Sequence, residues 1–284
     1  MVEPLDALQH HLSEVRTRIR QACQRSGRDP ASIRVVCVTK GVPIETIRQA
    51  VALGIADLGE NRVQEARAKQ TSLGFRLRAS GHSVQPAACS LQSVRWHMIG
   101  HLQRNKAKDA VGLFEVIHSL DSVALAKELE RHAEKQASGF RLQATSSTPQ
   151  VSSETNLQPL EVFIQVNVSG ESNKFGCTPD EAIGFARVVT QLPHLYLSGL
   201  MTMAPFTDDP EQVRPHFRRL RELRNTLTAA CSLPAPASAQ GGPGQSAAWS
   251  LSMGMSHDFE VAIEEGADVV RIGSAIFKNA GPGA

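Results

Sequence analysis

Lys40 closes a short apolar run, Ile33-Arg34-Val35-Val36-Cys37-Val38-Thr39-Lys40, and Gly41 and Pro43 follow at once. A β-branched run of this length that ends in glycine and proline reads as a core strand with a turn after it. At such an edge an amine loses part of its solvation, which lowers its pKa and frees a nucleophile for a carbonyl. Taken alone, a lysine in this place is more often a strand cap whose head reaches water. Two later clusters change that weighting. Ser252-Met253-Gly254-Met255-Ser256 and Arg271-Ile272-Gly273-Ser274 have the composition of an anion cradle, with small residues that admit backbone N–H groups and a helix start just beyond each. Ser252 and Ser274 add hydroxyl donors, and Arg271 a charged fork. An amine facing two such loops suits a phosphorylated aldehyde.

Eight strand-then-helix units bring these groups together. The strands are expected at Ile33 to Thr39, Ala56 to Gly59, Val94 to Ile99, Glu115 to Ser119, Glu161 to Val168, Leu197 to Met203, Trp249 to Met253 and Asp268 to Ile272. Helical spacing recurs at Ile44 to Leu53, Arg62 to Lys69, Ser122 to Gln136, Pro179 to Gln191, Pro210 to Ala230 and His257 to Glu265, with a further amphipathic helix, Leu5 to Ser26, ahead of the first strand. Asp121-Ser122 and Thr178-Pro179-Asp180 are helix starts, and Gly54 and Gly266 are stops. Serial units without a doubled-back order predict an α/β protein with a closed (β/α)8 barrel rather than an open sheet. In a barrel the residues after each strand share one rim, the face on which barrel enzymes build their sites. Here they are Lys40, Glu60-Asn61, His97 to Gly100, Ser119 to Ser122, Asn167, Met201 with Met203, and the two loops above.

The chain has 284 residues, 41% of them apolar and 20% charged, and a formal net charge of +2. Charges of both signs are mixed along it, so no nucleic-acid footprint is expected. The arginines from Arg214 to Arg224 read as one solvated face of a helix, with Phe217, Leu220, Leu223 and Leu227 beneath. Five cysteines, an odd number without C-x-x-C spacing, favour neither a disulfide framework nor a zinc site and point to a reducing compartment. With no basic start before an apolar stretch and no long uncharged apolar run, a cytoplasmic protein that does not enter a membrane is expected.

Three stretches, about Ser72 to Ser93, Ser138 to Pro159 and Pro234 to Ala247, are rich in small and polar residues and lack apolar periodicity; they read as insertions in one barrel domain spanning 1–284. Lys69-Gln70-Thr71-Ser72-Leu73-Gly74-Phe75-Arg76-Leu77 recurs as Lys135-Gln136-Ala137-Ser138-Gly139-Phe140-Arg141-Leu142, which reads as a duplicated insertion element rather than a repeated fold unit.

Several runs carry a family resemblance: Val38-Thr39-Lys40-Gly41-Val42-Pro43, Gly59-Glu60-Asn61-Arg62-Val63-Gln64-Glu65, Trp96-His97-Met98-Ile99-Gly100-His101-Leu102-Gln103-Arg104-Asn105-Lys106, Gly199-Leu200-Met201, Ser252-Met253-Gly254-Met255-Ser256 and Val270-Arg271-Ile272-Gly273. Together they closely resemble the YggS/PROSC family of pyridoxal phosphate homeostasis proteins, over nearly the whole chain outside the insertions. The resemblance implies a barrel like the cofactor domain of alanine racemase, with pyridoxal 5'-phosphate (PLP) held as a Schiff base on Lys40. By the same resemblance Ser252, Met253 and Gly254, with Arg271, Gly273 and Ser274, form the phosphate end, while Asn61, His97 and Met201 line the ring. Arg271 then meets either the phosphate or the pyridine nitrogen. The implied role is buffering and delivery of PLP by a monomer whose partners are PLP and apo PLP-dependent enzymes. Lys278 departs from the family, where glycine commonly follows Ile276-Phe277.

Each of these residues has a plainer reading. His97 and His101 have a helical metal-ligand spacing, but His97 ends a strand and no H-E-x-x-H pattern is present, so a ring-side or core histidine is favoured and no metal is expected. Glu60 and Asn61 suit caps on the next helix, Met253 and Met255 suit packing, and nothing beside Cys177 argues for a reactive thiol. The competing function is a PLP-dependent racemase or decarboxylase, using the cofactor as an electron sink. Two-base racemisation needs an acid-base group opposite Lys40, and the one tyrosine, Tyr196, falls at the start of strand six, far from the rim. A non-catalytic PLP carrier is therefore the expected function.

Overall fold

The computed structural model describes residues 4–74, 94–144, 158–171, 174–231 and 249–278. Within them the chain alternates α1 (Leu5–Ser26), β1 (Arg34–Val38), α2 (Ile44–Ala52), β2 (Asp57–Glu60), α3 (Val63–Leu73), β3 (Arg95–Met98), α4 (Ala107–Val111), β4 (Val116–Leu120), α5 (Val123–Ala144), β5 (Leu160–Gln165), α6 (Pro179–Val189), β6 (Leu195–Met201), α7 (Arg214–Cys231), β7 (Ser250–Met255), α8 (Phe259–Glu264) and β8 (Val269–Ile272). Every strand pairs in parallel with its neighbours in sequence, and β8 returns to β1 with Arg34 opposite Val269 and Cys37 opposite Ile272. The result is the expected closed (β/α)8 barrel. α1 packs between α8 and α2, completing the ring of helices where β8 has none after it among the described residues. Its apolar stripe (Leu8, Leu12, Val15, Ile19, Ala22) faces the barrel, and Arg18 reaches Glu260 at 2.6 Å.

Strand alternation splits the core in two. Leu58, Trp96, Ile117, Ile164, Leu251 and Ile272 point outward into the layer under the helices, whereas Val36, Ile99, Val116, Phe163, Met201 and Val269 point inward, with Val38 and Met203 packed on them. At the amino-terminal end the interior is charged. Arg95 hydrogen-bonds Glu161 there, and Arg34 lies 3.9 Å from the same carboxylate.

The structure differs from the sequence reading in three places. α4, five residues long, is too short to show a helical period and was not expected. The helices also enter the first two stretches read as insertions: α3 runs to Leu73, anchored by buried Gln70, whose amide donates to the Leu113 carbonyl at 2.7 Å, and α5 runs to Ala144. Residues 75–93 and 145–157, with Cys89 among them, and all of the third stretch lie outside the described residues. Finally, the arginines of α7 are not a simple solvated face. Arg214, Arg218 and Arg221 converge on the nearly buried Glu265 at 3.2, 3.1 and 2.9 Å, tying α7 to the end of α8. Among the described residues no helix is long and apolar enough to cross a membrane.

Candidate functional site

Lys40 occupies the corner of a tight turn. The Thr39 carbonyl accepts from the Val42 N–H at 3.0 Å, and Gly41 has φ +71°, so Lys40 and Gly41 are the central residues of a type II turn. A positive φ at the second central position is what makes glycine the natural residue there. The side chain of Lys40 is exposed and makes no hydrogen bond or ion pair among the described residues. The expected desolvation is therefore not observed: a strand ends at Val38, and the turn lifts the amine clear of the packed layer.

Inside the barrel, Arg271 dominates. It is 3% exposed, donating from Nη1 to Ser252 Oγ at 2.7 Å and from Nη2 to the Thr202 carbonyl at 2.8 Å. No carboxylate lies within ion-pair distance of it among the described residues. Burial brings its pKa down to about 10, opposed only by the more distant charge of Asp258. A buried guanidinium with neutral partners is a cation without a counter-ion, and such groups call for an anion or an electron-rich atom.

Ser252 continues a hydrogen-bonded chain. Its Oγ lies 2.8 Å from His118 Nδ1; His118 Nε2 lies 2.9 Å from His97 Nδ1; His97 Nε2 lies 2.7 Å from Asp57 Oδ1. Arginine only donates and an ionised carboxylate only accepts, so one set of protons satisfies every link. Arg271 gives to Ser252, Ser252 to His118, His118 to His97, and His97 to Asp57. Both imidazoles are then neutral and protonated on Nε2. Burial pushes the pKa of His97 down and that of His118 further, which agrees with neutral rings. Burial also pushes Asp57 upward, but the His97 hydrogen bond and the charges of Arg34 and Arg95 pull it down, and the net shift is downward.

The loops after β7 and β8 are joined by Ser256, whose Oγ accepts from the backbone N–H groups of Gly273 at 3.1 Å and Ala275 at 3.2 Å. Asp258 Oδ1 accepts from the Met255 N–H at 2.6 Å and holds the first loop in shape. Gly254 has φ +92°, and a Cβ there would stand 2.6 Å from that of Ala262, so α8 packs directly against the loop.

Residues 5–280 match the family described as alanine racemase, N-terminal domain. A relative from Aquifex aeolicus, named pyridoxal phosphate homeostasis protein, is 38% identical over 94% of this chain and 95% of its own. One of the same name from Pseudomonas aeruginosa is 35% identical over 96% of each. The chain belongs to the pyridoxal phosphate homeostasis protein family. Among solved structures, PipY from Synechococcus elongatus with PLP bound superposes with a TM-score of 0.69 at 28% identity, over 95% of this chain and 99% of that one. Alanine racemase from Corynebacterium glutamicum, at 15% identity and a TM-score of 0.55 over 96% of this chain and 61% of that one, shares the fold.

Set against the site expected for this family, the structure brings Lys40, Asn61, Met201, Ser252, Gly254, Arg271, Gly273 and Ser274 to the carboxyl end of the barrel. Asn61 is half-buried after β2, and its backbone approaches Gly100 so closely that a Cβ there would lie 2.4 Å from the Asn61 carbonyl. His97 sits one interior layer below Ile99 with both nitrogens engaged, and Met253 points outward into the core under the helices. Glu60 does not cap α3 but bonds Thr39 and Lys69. His101 pairs with Asp121 at 3.1 Å and stacks on Phe175, so His97 and His101 do not converge. Lys278 pairs with Glu14 at 2.9 Å, on the surface. Sequence reasoning passed over Asp57 and His118, and took in Ser256 only as the end of the cluster after strand seven. The signal for His118 was a histidine at an alternate position of a strand buried at every residue, Val116–Leu120.

Proposed function

We propose that the chain binds PLP covalently and reversibly through Lys40 and serves as a carrier, without turning over amino acids. The observation that carries this is the buried Arg271 cation, bonded only to neutral partners among the described residues and lying beneath an exposed amine. When bound, PLP supplies an aldehyde for the amine, an anionic phosphate and a pyridine nitrogen with a lone pair. Arg271 lies two residues deeper along β8 than Gly273, so it suits the ring nitrogen, while the loop around Ser274, which Ser256 holds in place, suits the phosphate. A guanidinium facing that nitrogen is itself a fixed cation and keeps it unprotonated, which weakens the ring as an electron sink. Val36, Val38, Ile99, Met201 and Met203 supply the apolar floor.

The exposure of Lys40 also supports a carrier. Water and a recipient's amine reach it without any element moving, whereas amino-acid catalysis profits from excluding water. Racemisation further needs a second acid-base group across from Lys40. Tyr196 is the second residue of β6, at the opposite end of the barrel, and every ring nitrogen of His97 and His118 is engaged. The described cysteines Cys23, Cys37 and Cys177 are free and buried, which suits the cytoplasm.

The test is chemical. The purified protein, loaded with PLP, should show the absorption of an imine, and borohydride should fix the cofactor on Lys40. Lys40→Ala should abolish the trapped adduct. A full-yield adduct on Lys106 or Lys174 in that variant would refute the assignment, and turnover of an amino acid at about 1 per second or faster, lost in Lys40→Ala, would replace the carrier by an enzyme.

A further inference from the structure

On the outer side of β2, behind the turn that displays Lys40, lies an ion pair that the site does not use. Glu60 is fully buried, and Lys69 reaches it from α3 with its side chain 12% exposed. Glu60 Oε1 accepts from Lys69 Nζ at 2.6 Å and from Thr39 Oγ1 at 2.6 Å. Lys69 Nζ also donates to the Thr39 carbonyl at 2.5 Å, the same oxygen that closes the turn by accepting from Val42 at 3.0 Å. The other oxygen, Glu60 Oε2, is buried without a hydrogen-bond partner.

We propose that Lys69 is a positioning residue for Lys40, fixing the Thr39–Lys40 peptide from behind so that the turn holds the amine over the barrel mouth. The inference rests on Lys40 being the cofactor's anchor. Stability alone does not explain the arrangement. A buried pair that leaves one carboxylate oxygen unmet is commonly no better than apolar residues of the same shape. Burial raises the carboxyl pKa of Glu60 against the opposing pull of Lys69 and Thr39.

What the pair does achieve is geometric. The Thr39 N–H gives to the Gly59 carbonyl at 3.0 Å, its hydroxyl gives to Glu60, and its carbonyl takes both Val42 and Lys69. The planar peptide that follows is thereby pinned, and with it the direction in which the Lys40 side chain leaves the backbone. A nucleophile carried on a fixed base gives up less freedom on capture, and its adduct is released more slowly.

Three variants separate this from a structural role: Lys69→Met, Lys69→Arg, and Lys69→Met combined with Glu60→Gln. The double variant removes both charges, so its melting temperature should return towards the parent's even where the single Met variant is poorly folded. Two quantities are read in each. One is hydrogen exchange of the Val42 amide in the cofactor-free protein; the other is the rate of PLP release to an excess of a competing amine. Positioning predicts that Val42 exchanges faster and that PLP leaves about three- to tenfold faster in both Met variants, with Arg restoring much of the loss. A double variant that matches the parent in both would overturn the proposal. If borohydride maps the parent's cofactor to another lysine, the anchor reading fails, yet Val42 exchange still reports on the clamp by itself.

Discussion

His118→Phe is a direct probe of the chain that runs from Arg271 to Asp57. The two rings are flat and of similar size, so the stack on Phe163, with centroids 4.6 Å apart and planes 5° from parallel, is kept. Both hydrogen bonds are lost. Ser252 Oγ is left without its acceptor and His97 Nδ1 without its donor, in a barrel interior where both residues are fully buried. An unmet buried polar group costs about 1 to 3 kcal/mol. Two of them, less the gain from burying a more apolar ring, give a loss of about 2 to 4 kcal/mol and a melting temperature lower by roughly 4–10 °C. The pH dependence supplies a second, independent number. Burial holds the folded pKa of His118 well below its ordinary value of 6.5. The unfolded chain therefore takes up a proton there that the folded protein refuses. Stability from this group is complete above the unfolded pKa and is lost as pH falls below it, by up to about 1.4 kcal/mol per pH unit. His97 adds a like contribution, and the raised carboxyls of Glu60 and Asp258 act in the opposite direction, but all three remain in the variant. Between pH 7 and pH 5 the parent should then lose about 2 kcal/mol more than His118→Phe. Urea unfolding of both proteins at several pH values measures the difference. Parallel curves, or a variant within about 0.5 kcal/mol of the parent at pH 7, would show that the chain carries no such linkage.

Arg271→Ala should weaken PLP retention by roughly one to two decades, the loss of one charge-assisted contact of about 1.5 to 3 kcal/mol, as read by equilibrium dialysis; retention equal to the parent's would place the guanidinium outside the cofactor site. Gly199→Ala should prevent folding or cost more than about 4 kcal/mol, because a Cβ there would stand 1.8 Å from the Ser250 carbonyl and force β6 from β7; a cooperative melt near the parent's would contradict the close approach of those strands.

Much of the barrel could be read from the chain because its units are local. Leu5 to Ser26 carries an uninterrupted 3.6-residue stripe and forms α1 with those bounds. Thr178-Pro179-Asp180 announces α6, and the structure adds a reciprocal cap, with Thr178 Oγ1 accepting from the Glu181 N–H and Glu181 Oε2 accepting from the Thr178 N–H. Lys40 stands out the same way as a candidate, since a strand, a lysine, a glycine and a proline are neighbours in sequence. Its exposure was not, because desolvation depends on what covers the rim, and that is set by elements far along the chain.

The polar chain inside the barrel shows where local reading ends. Asp57 opens β2, His97 lies within β3, His118 is at the middle of β4, and Ser252 and Arg271 come from β7 and β8. Nothing in the neighbourhood of any one of them predicts the others. What joins them is closure: once β8 pairs with β1, inward-facing positions of strands remote in sequence meet across the interior. Alternation does say which residues face inward once the strands are phased. A histidine and a serine at buried inward positions each need a partner, because a lone polar group there would be costly. Ser252 was assigned to the phosphate on composition, as a hydroxyl beside glycine. Its place on the inward face of β7, within reach of the Arg271 guanidinium, makes it a link between that cation and His118 instead. The hydroxyl that joins the two loops is Ser256, four residues on, where the chain has passed the end of β7 and its side chain binds the backbone of the neighbouring turn.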